Sequence, residues 1–276
     1  MSVGINTNIE YGLDIKTLYA DIKTAGFENV MIAFKETEIE ESILQAKSFG
    51  LNIPFVHLSC REANSFWVNS PVTDKYIAKL KKEIDICSKY NIPIGIIHPI
   101  AGNPNTKPVG VNPNGLRTIG EIVKYAKEKN VKLAIENVDT ESLKYLDYVL
   151  ENFSKEDLGF CYDTGHNNLY YPQNNVLEKY ADRVIAIHLH DNYMDYEEYD
   201  DYTKDRHFLP FDGKVDYDFV CSNLAKSNYD NVIMLEVNRK NLGNQERYKD
   251  LTLLQFLTEA KSRADKIEKM IQEKRN

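Results

Sequence analysis

Short apolar runs alternate with amphipathic segments along the whole chain. Eight runs rich in Val, Ile and Phe are bounded by turn residues or charges, a pattern typical of buried parallel strands. The segments between them carry apolar residues three and four positions apart, as at Ile15, Leu18, Tyr19 and Ile22, which predicts surface helices. The predicted strands span residues 3–6, 30–34, 53–57, 94–98, 132–137, 158–163, 184–190 and 232–237.

Residues typical of helix ends support this alternation. Gly26, Gly50 and Asn130 follow helical segments, where a residue in the left-handed conformation commonly ends a helix. Asp14 and Thr140 precede helical segments and are predicted N-caps. The chain therefore reads as a series of βα units.

Eight βα units favour one α/β domain over residues 1–276, a closed (β/α)₈ TIM barrel. A doubly wound open sheet is the alternative fold. A long charged helix is predicted from about residue 246 to the end. Two predicted loop insertions follow strands: residues 99–113 carry four prolines, and residues 192–213 are acidic and aromatic.

Composition and charge exclude several classes of protein. Hydrophobic residues make up 42% of the chain and charged residues 28%, as in globular proteins, and the net charge of -8 disfavours nucleic-acid binding. The four cysteines are widely spaced without a CxxC pair, so we expect reduced thiols. No apolar run reaches the roughly 20 residues that cross a bilayer, so a cytoplasmic protein is expected.

Histidines and carboxylates collect at one end of the predicted barrel. All six histidines lie at or just beyond the C-terminal ends of strands or in a following loop, which is the functional face of this fold. Each alone would more often be a packing or surface residue. Together they would crowd ionisable groups into an apolar mouth, where desolvation and like-charge repulsion call for cations. The converging residues are His57, His98, Glu136, Asp163, His166, His188, His190, Asp205, His207 and Glu236.

The donor types and two glutamates indicate a chemistry. Mixed imidazole and carboxylate ligands suit Zn²⁺, Mn²⁺, Co²⁺ or Fe²⁺, of which we favour zinc or manganese. Glu136 and Glu236 lie in strands far apart in sequence, so they can flank a substrate on two sides. A carboxylate beside a metal-polarised oxygen can remove and return a proton. We therefore predict an enzyme; a barrel that binds a ligand without turnover is an alternative.

Seven motifs carry this chemistry: FVH at 55–57, IHP at 97–99, IEN at 135–137, YDTGH at 162–166, IHLHDN at 187–192, DRH at 205–207 and LEV at 235–237. They span nearly the whole chain and resemble the xylose isomerase-like TIM-barrel superfamily. That superfamily includes sugar and sugar-phosphate isomerases and epimerases, inosose dehydratases and the endonuclease IV group of abasic-site DNA repair enzymes.

The resemblance implies a metal centre. In the isomerases and epimerases one ion is held by Glu, Asp, His and Glu, whose two glutamates, here Glu136 and Glu236, are also the catalytic pair. In endonuclease IV three zinc ions are held, so one to three divalent ions per chain are expected. The implied ligands are Glu136, Asp163, His188 and Glu236 for the single ion, His57 and His98 with Glu136 shared for a second, and His166, Asp205 and His207 for a third.

Residues beside the implied ligands are predicted to bind the substrate, namely His190, Asn137, Arg206 and Trp67. For Arg206 a surface salt bridge and for Trp67 a packing role are the alternatives. The tyrosines of the acidic loop are predicted either to close over a sugar ring or to form a structural patch. They are Tyr193, Tyr196, Tyr199 and Tyr202.

The acidic loop also bears on the choice of substrate. Asp191 and the acids at 195, 197, 198, 200 and 201 would repel a phosphate backbone close to the predicted site. We therefore expect a small sugar, sugar phosphate or polyol substrate. An endonuclease IV-like phosphodiesterase is the alternative function, and an oligomer is compatible with the sequence.

Overall fold

The computed structural model describes residues 1–34, 38–101, 109–173, 176–193, 205–240 and 246–276. All eight predicted strands are present there and pair in parallel in the order β7-β6-β5-β4-β3-β2-β1-β8. The strands are β1 Val3–Asn6, β2 Asn29–Ala33, β3 Phe55–His57, β4 Ile94–Ile97, β5 Lys132–Glu136, β6 Leu158–Asp163, β7 Val184–His188 and β8 Ile233–Leu235.

The sheet closes on itself. β1 pairs with β8, with Val3 opposite Ile233, and β7 reaches β8 through a parallel bridge between Leu189 and Leu235. The Leu189 amide donates to the Met234 carbonyl at 2.9 Å, which continues the ladder across this junction. The predicted TIM barrel is confirmed, and the open sheet is excluded.

Helices surround this barrel. Their apolar faces point inward, so that Leu18, Tyr19 and Ile22 of the first helix are buried as their spacing predicts. The α-helices of the described residues are α1 Ile15–Thr24, α2 Ile39–Ser48, α3 Pro71–Lys89, α4 Pro113–Glu128, α5 Ser142–Asn152, α6 Thr164–Tyr170, α7 Val176–Lys179, α8 Tyr217–Lys226 and α9 Leu253–Arg275. None of these helices combines the length and apolar character required to cross a bilayer.

The predicted helix ends are confirmed at most positions. Gly26, Gly50 and Asn130 have φ angles of 93°, 69° and 57° after α1, α2 and α4. Asp14 caps α1 by accepting a hydrogen bond from the Thr17 amide at 2.9 Å. These residues end and start helices where the strand connections require it.

Two predicted boundaries are wrong. Thr140 is not an N-cap, because α5 begins at Ser142 and its N-cap position is taken by Glu141. The last helix begins at Leu253 rather than near residue 246. Thr252 and Gln255 form a capping box at this start. Residues 102–108 and 194–204 of the two predicted insertions lie outside the described residues.

Apolar side chains form two layers of core. One lies between the barrel and the helices, and the other fills the barrel interior. Because side chains alternate across a strand, the next inward position lies two residues further toward the C-terminal end. The interior layer includes Phe55, Ile96, Ala134, Cys161, Ala186 and Met234.

Candidate metal centre

The barrel mouth is built from the inward positions that follow the apolar interior layer. Glu136 lies two residues beyond Ala134, and His188 lies two residues beyond Ala186. The same offset on the other strands places ionisable groups side by side at the C-terminal face. This polar layer consists of His57, His98, Glu136, Asp163, His188 and Glu236.

A central group gathers around one imidazole nitrogen. His188 Nδ1 lies 3.1 Å from Glu236 Oε2, 3.3 Å from Glu136 Oε1 and 3.8 Å from Asp163 Oδ2. These four side chains each offer a ligand atom within 4.8 Å of the others. They come from β5, β6, β7 and the end of β8, so strand geometry alone brings them together.

A second cluster, the β3–β4 group, shares Glu136. Its other oxygen, Oε2, lies 3.4 Å from His57 Nε2 and 3.3 Å from His98 Nε2. The two Nε2 atoms are 3.0 Å apart. Glu136 therefore joins the central group through one oxygen and the β3–β4 group through the other.

A third cluster, the loop group, lies beside α6. Asp205 Oδ2 is 3.3 Å from His166 Nε2 and 3.0 Å from His207 Nε2. His190 completes this group, with its ring stacked on that of His207 at a centroid distance of 3.9 Å. The structure thus brings all nine predicted metal ligands together in three adjacent groups, while their role as ligands stays a prediction.

Backbone carbonyls orient three of these histidines in the same way. Nδ1 of His57 lies 2.8 Å from the Leu58 carbonyl oxygen, Nδ1 of His166 lies 3.0 Å from that of Asn137, and Nδ1 of His207 lies 2.8 Å from that of Glu236. An Nδ1–H donated to a carbonyl makes Nε2 the nitrogen whose lone pair can bind a metal once its proton is lost. In each case Nε2 is the atom that faces the group.

The spacing of the donors fits divalent ions. Two donors bound tetrahedrally to one zinc ion at about 2.0–2.1 Å from it lie about 3.3 Å apart. The closest contacts in all three groups fall between 3.0 and 3.4 Å. Within the described residues, no hydrogen-bond partner satisfies Glu136 Oε2 or either ring nitrogen of His188. Buried atoms of this kind are costly without a ligand, so the residues fit a bound metal.

Electrostatics link the three groups. Burial works against the charge of Glu136, but His188 and His98 hold the pKa of its carboxyl well below the usual range. Burial likewise opposes protonation of His98, yet Cys60 and Glu136 raise its pKa to about 10. The pKa of His207 is raised to about 9, because Asp205 outweighs the effect of burial. Protons therefore occupy nitrogens that a metal would need.

Two predicted substrate-binding residues, Asn137 and Trp67, are buried and make structural contacts, and their role toward a substrate stays a prediction. The amide of Asn137 is buried; it donates to the Asp163 carbonyl and accepts from the Asp163 amide at 2.8 Å, which fixes the end of β6. Trp67 is 2% exposed, donates from Nε1 to the Pro99 carbonyl at 2.7 Å and packs against Tyr145.

His190 is likewise buried, and its predicted substrate role stays a prediction. Its ring is fully buried, and Nε2 lies 3.1 Å from Asp163 Oδ2. Gly165 makes room for the ring, since a Cβ there would lie 2.0 Å from His190 Cε1. His190 therefore packs within the loop group. The backbone amide of Arg206 donates to Asn192 Oδ1 at 2.5 Å, and its predicted contact with substrate stays a prediction.

Asp191 does not contribute to an acidic surface. It is fully buried, and its carboxylate accepts from the amides of Phe211 and Val215 at 3.0 and 2.9 Å. It organises the loop that carries Asp205 and His207. The remaining acids expected to repel phosphate lie outside the described residues, as do Tyr196, Tyr199 and Tyr202. Tyr193 packs edge-to-face against Phe208, with ring centroids 4.8 Å apart.

Sequence reasoning missed one functional candidate, Cys60. Its thiol groups with His57 and His98, and all four cysteines of the chain are free. Burial would raise the pKa of this thiol, but His98 and His57 lower it to about 7. No spacing in the sequence pointed to it, because it lies in a loop beyond β3.

The fold and the three donor groups define the class of protein: a TIM barrel with a candidate metal centre at its C-terminal mouth. A model of the xylose isomerase-like TIM barrel family matches residues 19–259. The chain belongs to this family, which confirms the resemblance found in its motifs.

One curated relative and several solved structures are similar to this chain. The uncharacterized protein y4fM of Sinorhizobium fredii is 32% identical over 160 residues, which are 54% of this chain and only 49% of that protein. A D-tagatose 3-epimerase-like protein superposes with a TM-score of 0.75 at 19% identity, with 99% of each chain covered. D-psicose 3-epimerase from Clostridium cellulolyticum H10 gives 0.72 at 14% identity, covering 98% of this chain and 99% of that one.

Proposed function

We propose that this protein is a metal-dependent isomerase or epimerase that acts on a sugar, a sugar phosphate or a related polyol. One observation carries the proposal: Glu136 and Glu236, from strands on different sides of the barrel, meet at His188 Nδ1 within 3.3 and 3.1 Å. Solved structures of the same fold include proteins named as sugar 3-epimerases, which supports this choice of chemistry.

The two glutamates are unequal, which assigns them different tasks. Glu136 is 1% exposed and both of its oxygens face histidines, whereas Glu236 is 14% exposed. Glu236 is therefore the carboxylate more accessible to a substrate, while Glu136 also holds the donors around it. Both glutamates stay the proposed catalytic pair.

Glu236 is prepared to act as a base. Burial opposes its charge, but His188 and His207 hold the pKa of its carboxyl below the usual value, so it is ionised at neutral pH. A divalent ion held by Glu136, Asp163, His188 and Glu236 would supply Lewis acidity toward a substrate oxygen. For isomerisation, Glu236 would accept the proton of the adjacent C–H bond and return it to the neighbouring carbon. For epimerisation, Glu236 would accept the proton on one face, and Glu136, the other member of the proposed pair, would deliver a proton to the opposite face of the same carbon.

A second function, that of an endonuclease IV-like phosphodiesterase, is favoured by the number of donor groups. Three adjacent groups with Glu136 shared between two of them match the ligand set that the motifs imply for that branch. The net charge of -8 opposes it, because duplex binding depends on neutralising phosphates. We therefore rank it second.

Solvent exchange tests the proposal directly. Zinc- or manganese-loaded protein is incubated in D₂O with ketoses such as D-tagatose and D-psicose, and deuterium entry beside the carbonyl is followed by NMR and mass spectrometry. Glu236→Gln should lower the exchange rate by about 10²–10⁴-fold, whereas Glu246→Gln, at an exposed surface position, should leave it unchanged. No exchange with any ketose, together with cleavage of an abasic-site duplex, would select the second function.

A further inference from the structure

Cys60 lies beside the β3–β4 group but outside the ligand set that the family motifs imply. Its Sγ and one nitrogen each of His57 and His98 lie within 4.8 Å of one another. The thiol is partly exposed, unlike the other cysteines, which are fully buried. It is therefore the cysteine that stands at the barrel mouth.

The loop that carries Cys60 is held in place by buried groups. Glu83 of α3, 4% exposed, accepts from the Ser59 amide at 2.8 Å and also from the Ser59 hydroxyl. Tyr76 donates from its hydroxyl to the Ser59 carbonyl at 2.6 Å, and the Ala63 amide donates to the Cys60 carbonyl at 3.0 Å. This loop is thus fixed on both sides of the thiol before any ligand binds.

An unsatisfied carboxylate oxygen faces the two histidines that Cys60 accompanies. Glu136 Oε2 is buried on a side chain only 1% exposed and lies 3.4 and 3.3 Å from His57 Nε2 and His98 Nε2. Within the described residues it has no hydrogen-bond partner. The buried oxygen thus lies unsatisfied beside two imidazole nitrogens that are 3.0 Å apart, as expected where a cation binds.

We propose that Cys60 is a further metal ligand beside His57 and His98 and adds a thiolate sulphur to these two imidazole nitrogens. On binding, the thiol releases its proton to solvent and the thiolate sulphur donates an electron pair to the ion. A thiolate in this set selects zinc over manganese or magnesium, which prefer oxygen ligands. The proposal rests on the metal centre of the proposed function and adds a ligand to it.

Cobalt(II) provides the test, because thiolate ligation gives a sulphur-to-cobalt charge-transfer band in the near ultraviolet, separate from the visible ligand-field bands. Metal-free full-length protein is titrated with Co²⁺ alone and compared with Cys60→Ser and Cys60→Ala. Cys161→Ser is the matched control, because Cys161 lies beside Glu136 and His188. Cys87→Ser controls for a cysteine remote from the mouth.

We expect the charge-transfer band in the native protein and in both control variants, and its loss in both Cys60 variants. Competition between zinc and manganese should shift toward manganese by at least about tenfold in Cys60→Ser, given the usual cost of perturbing a metal site. Ligand-field bands without a charge-transfer band, or a band lost in Cys161→Ser instead, would overturn the role of Cys60 and leave the metal centre standing. Absence of cobalt binding would overturn both.

Discussion

Two layers of side chains inside the same barrel differ in chemistry although the same strands carry them. The lower layer, with Phe55, Ala134 and Met234, is apolar and closely packed. Two residues further along, the polar layer contains buried imidazoles and carboxylates, several atoms of which have no hydrogen-bond partner among the described residues. Burying such groups is costly unless they are paired. The comparison teaches that the lower layer stabilises the fold, while the polar layer depends on something that the chain does not itself supply.

Removal of metal should show the difference between the two layers most strongly, because only the polar layer is proposed to hold an ion. Dialysis against a chelator is expected to abolish deuterium exchange into the substrate. It should also lower the free energy of unfolding by about 4 kcal/mol relative to protein in free zinc at 1,000 times the zinc dissociation constant. Urea unfolding with and without zinc measures the second effect. Equal stability in both conditions would mean that the polar layer holds no ion.

A cavity in the lower layer should act on stability without acting on the metal. Phe55 is completely buried, so Phe55→Ala is expected to lower the free energy of unfolding by about 3–5 kcal/mol. Below the unfolding transition, zinc stoichiometry should remain that of the native protein. A variant that loses zinc while it stays folded would show that the two layers are not independent.

Asp191 sharpens the comparison because it is a buried acid whose partners belong to the chain. Burial raises the pKa of its carboxyl, although backbone amides at Val215 and elsewhere partly counter this. Asp191→Asn should leave an amide of this loop without an acceptor and destabilise the protein by about 1–3 kcal/mol. Saturating zinc should leave this difference in stability between Asp191→Asn and the native protein unchanged. Disappearance of the difference in zinc would contradict the structural role of Asp191.

Metal affinity should depend on pH in a graded manner. His207 and His98, with pKa values of about 9 and 10, hold protons at pH 7, and metal must displace them. Zinc binding should therefore tighten as pH rises from 6 to 8, by about one log unit per pH unit for each proton displaced. Calorimetry in buffers of different ionisation enthalpy counts these protons. A pH-independent affinity without proton release would show that the histidines are not ligands.

Much of the fold was predictable because burial leaves a local pattern. Leu158–Asp163 was predicted to the residue, since a fully buried strand is a short apolar run with clear limits. The start of α9 was predicted too early because charges continue across residues 246–252, although the capping pair Thr252 and Gln255 marks the true start.

Strand alternation made the strand-end residues of the site predictable, whereas the loop group followed from the resemblance of the motifs. His188 and Glu236 follow the inward positions. Asn137, next to the inward Glu136, is buried and donates to the Asp163 carbonyl, and its role toward a substrate stays a prediction. The position of Cys60 depends on Glu83 in a distant helix, and a contact between elements of this kind leaves no local signal in the sequence.

Anomalous diffraction at the zinc absorption edge, from crystals of zinc-loaded protein, tests the central claim most directly. The account predicts an anomalous peak in contact with Glu136, Asp163, His188 and Glu236, and further peaks at the β3–β4 group and the loop group. Zinc bound elsewhere, with these imidazoles and carboxylates paired only with one another, would contradict it.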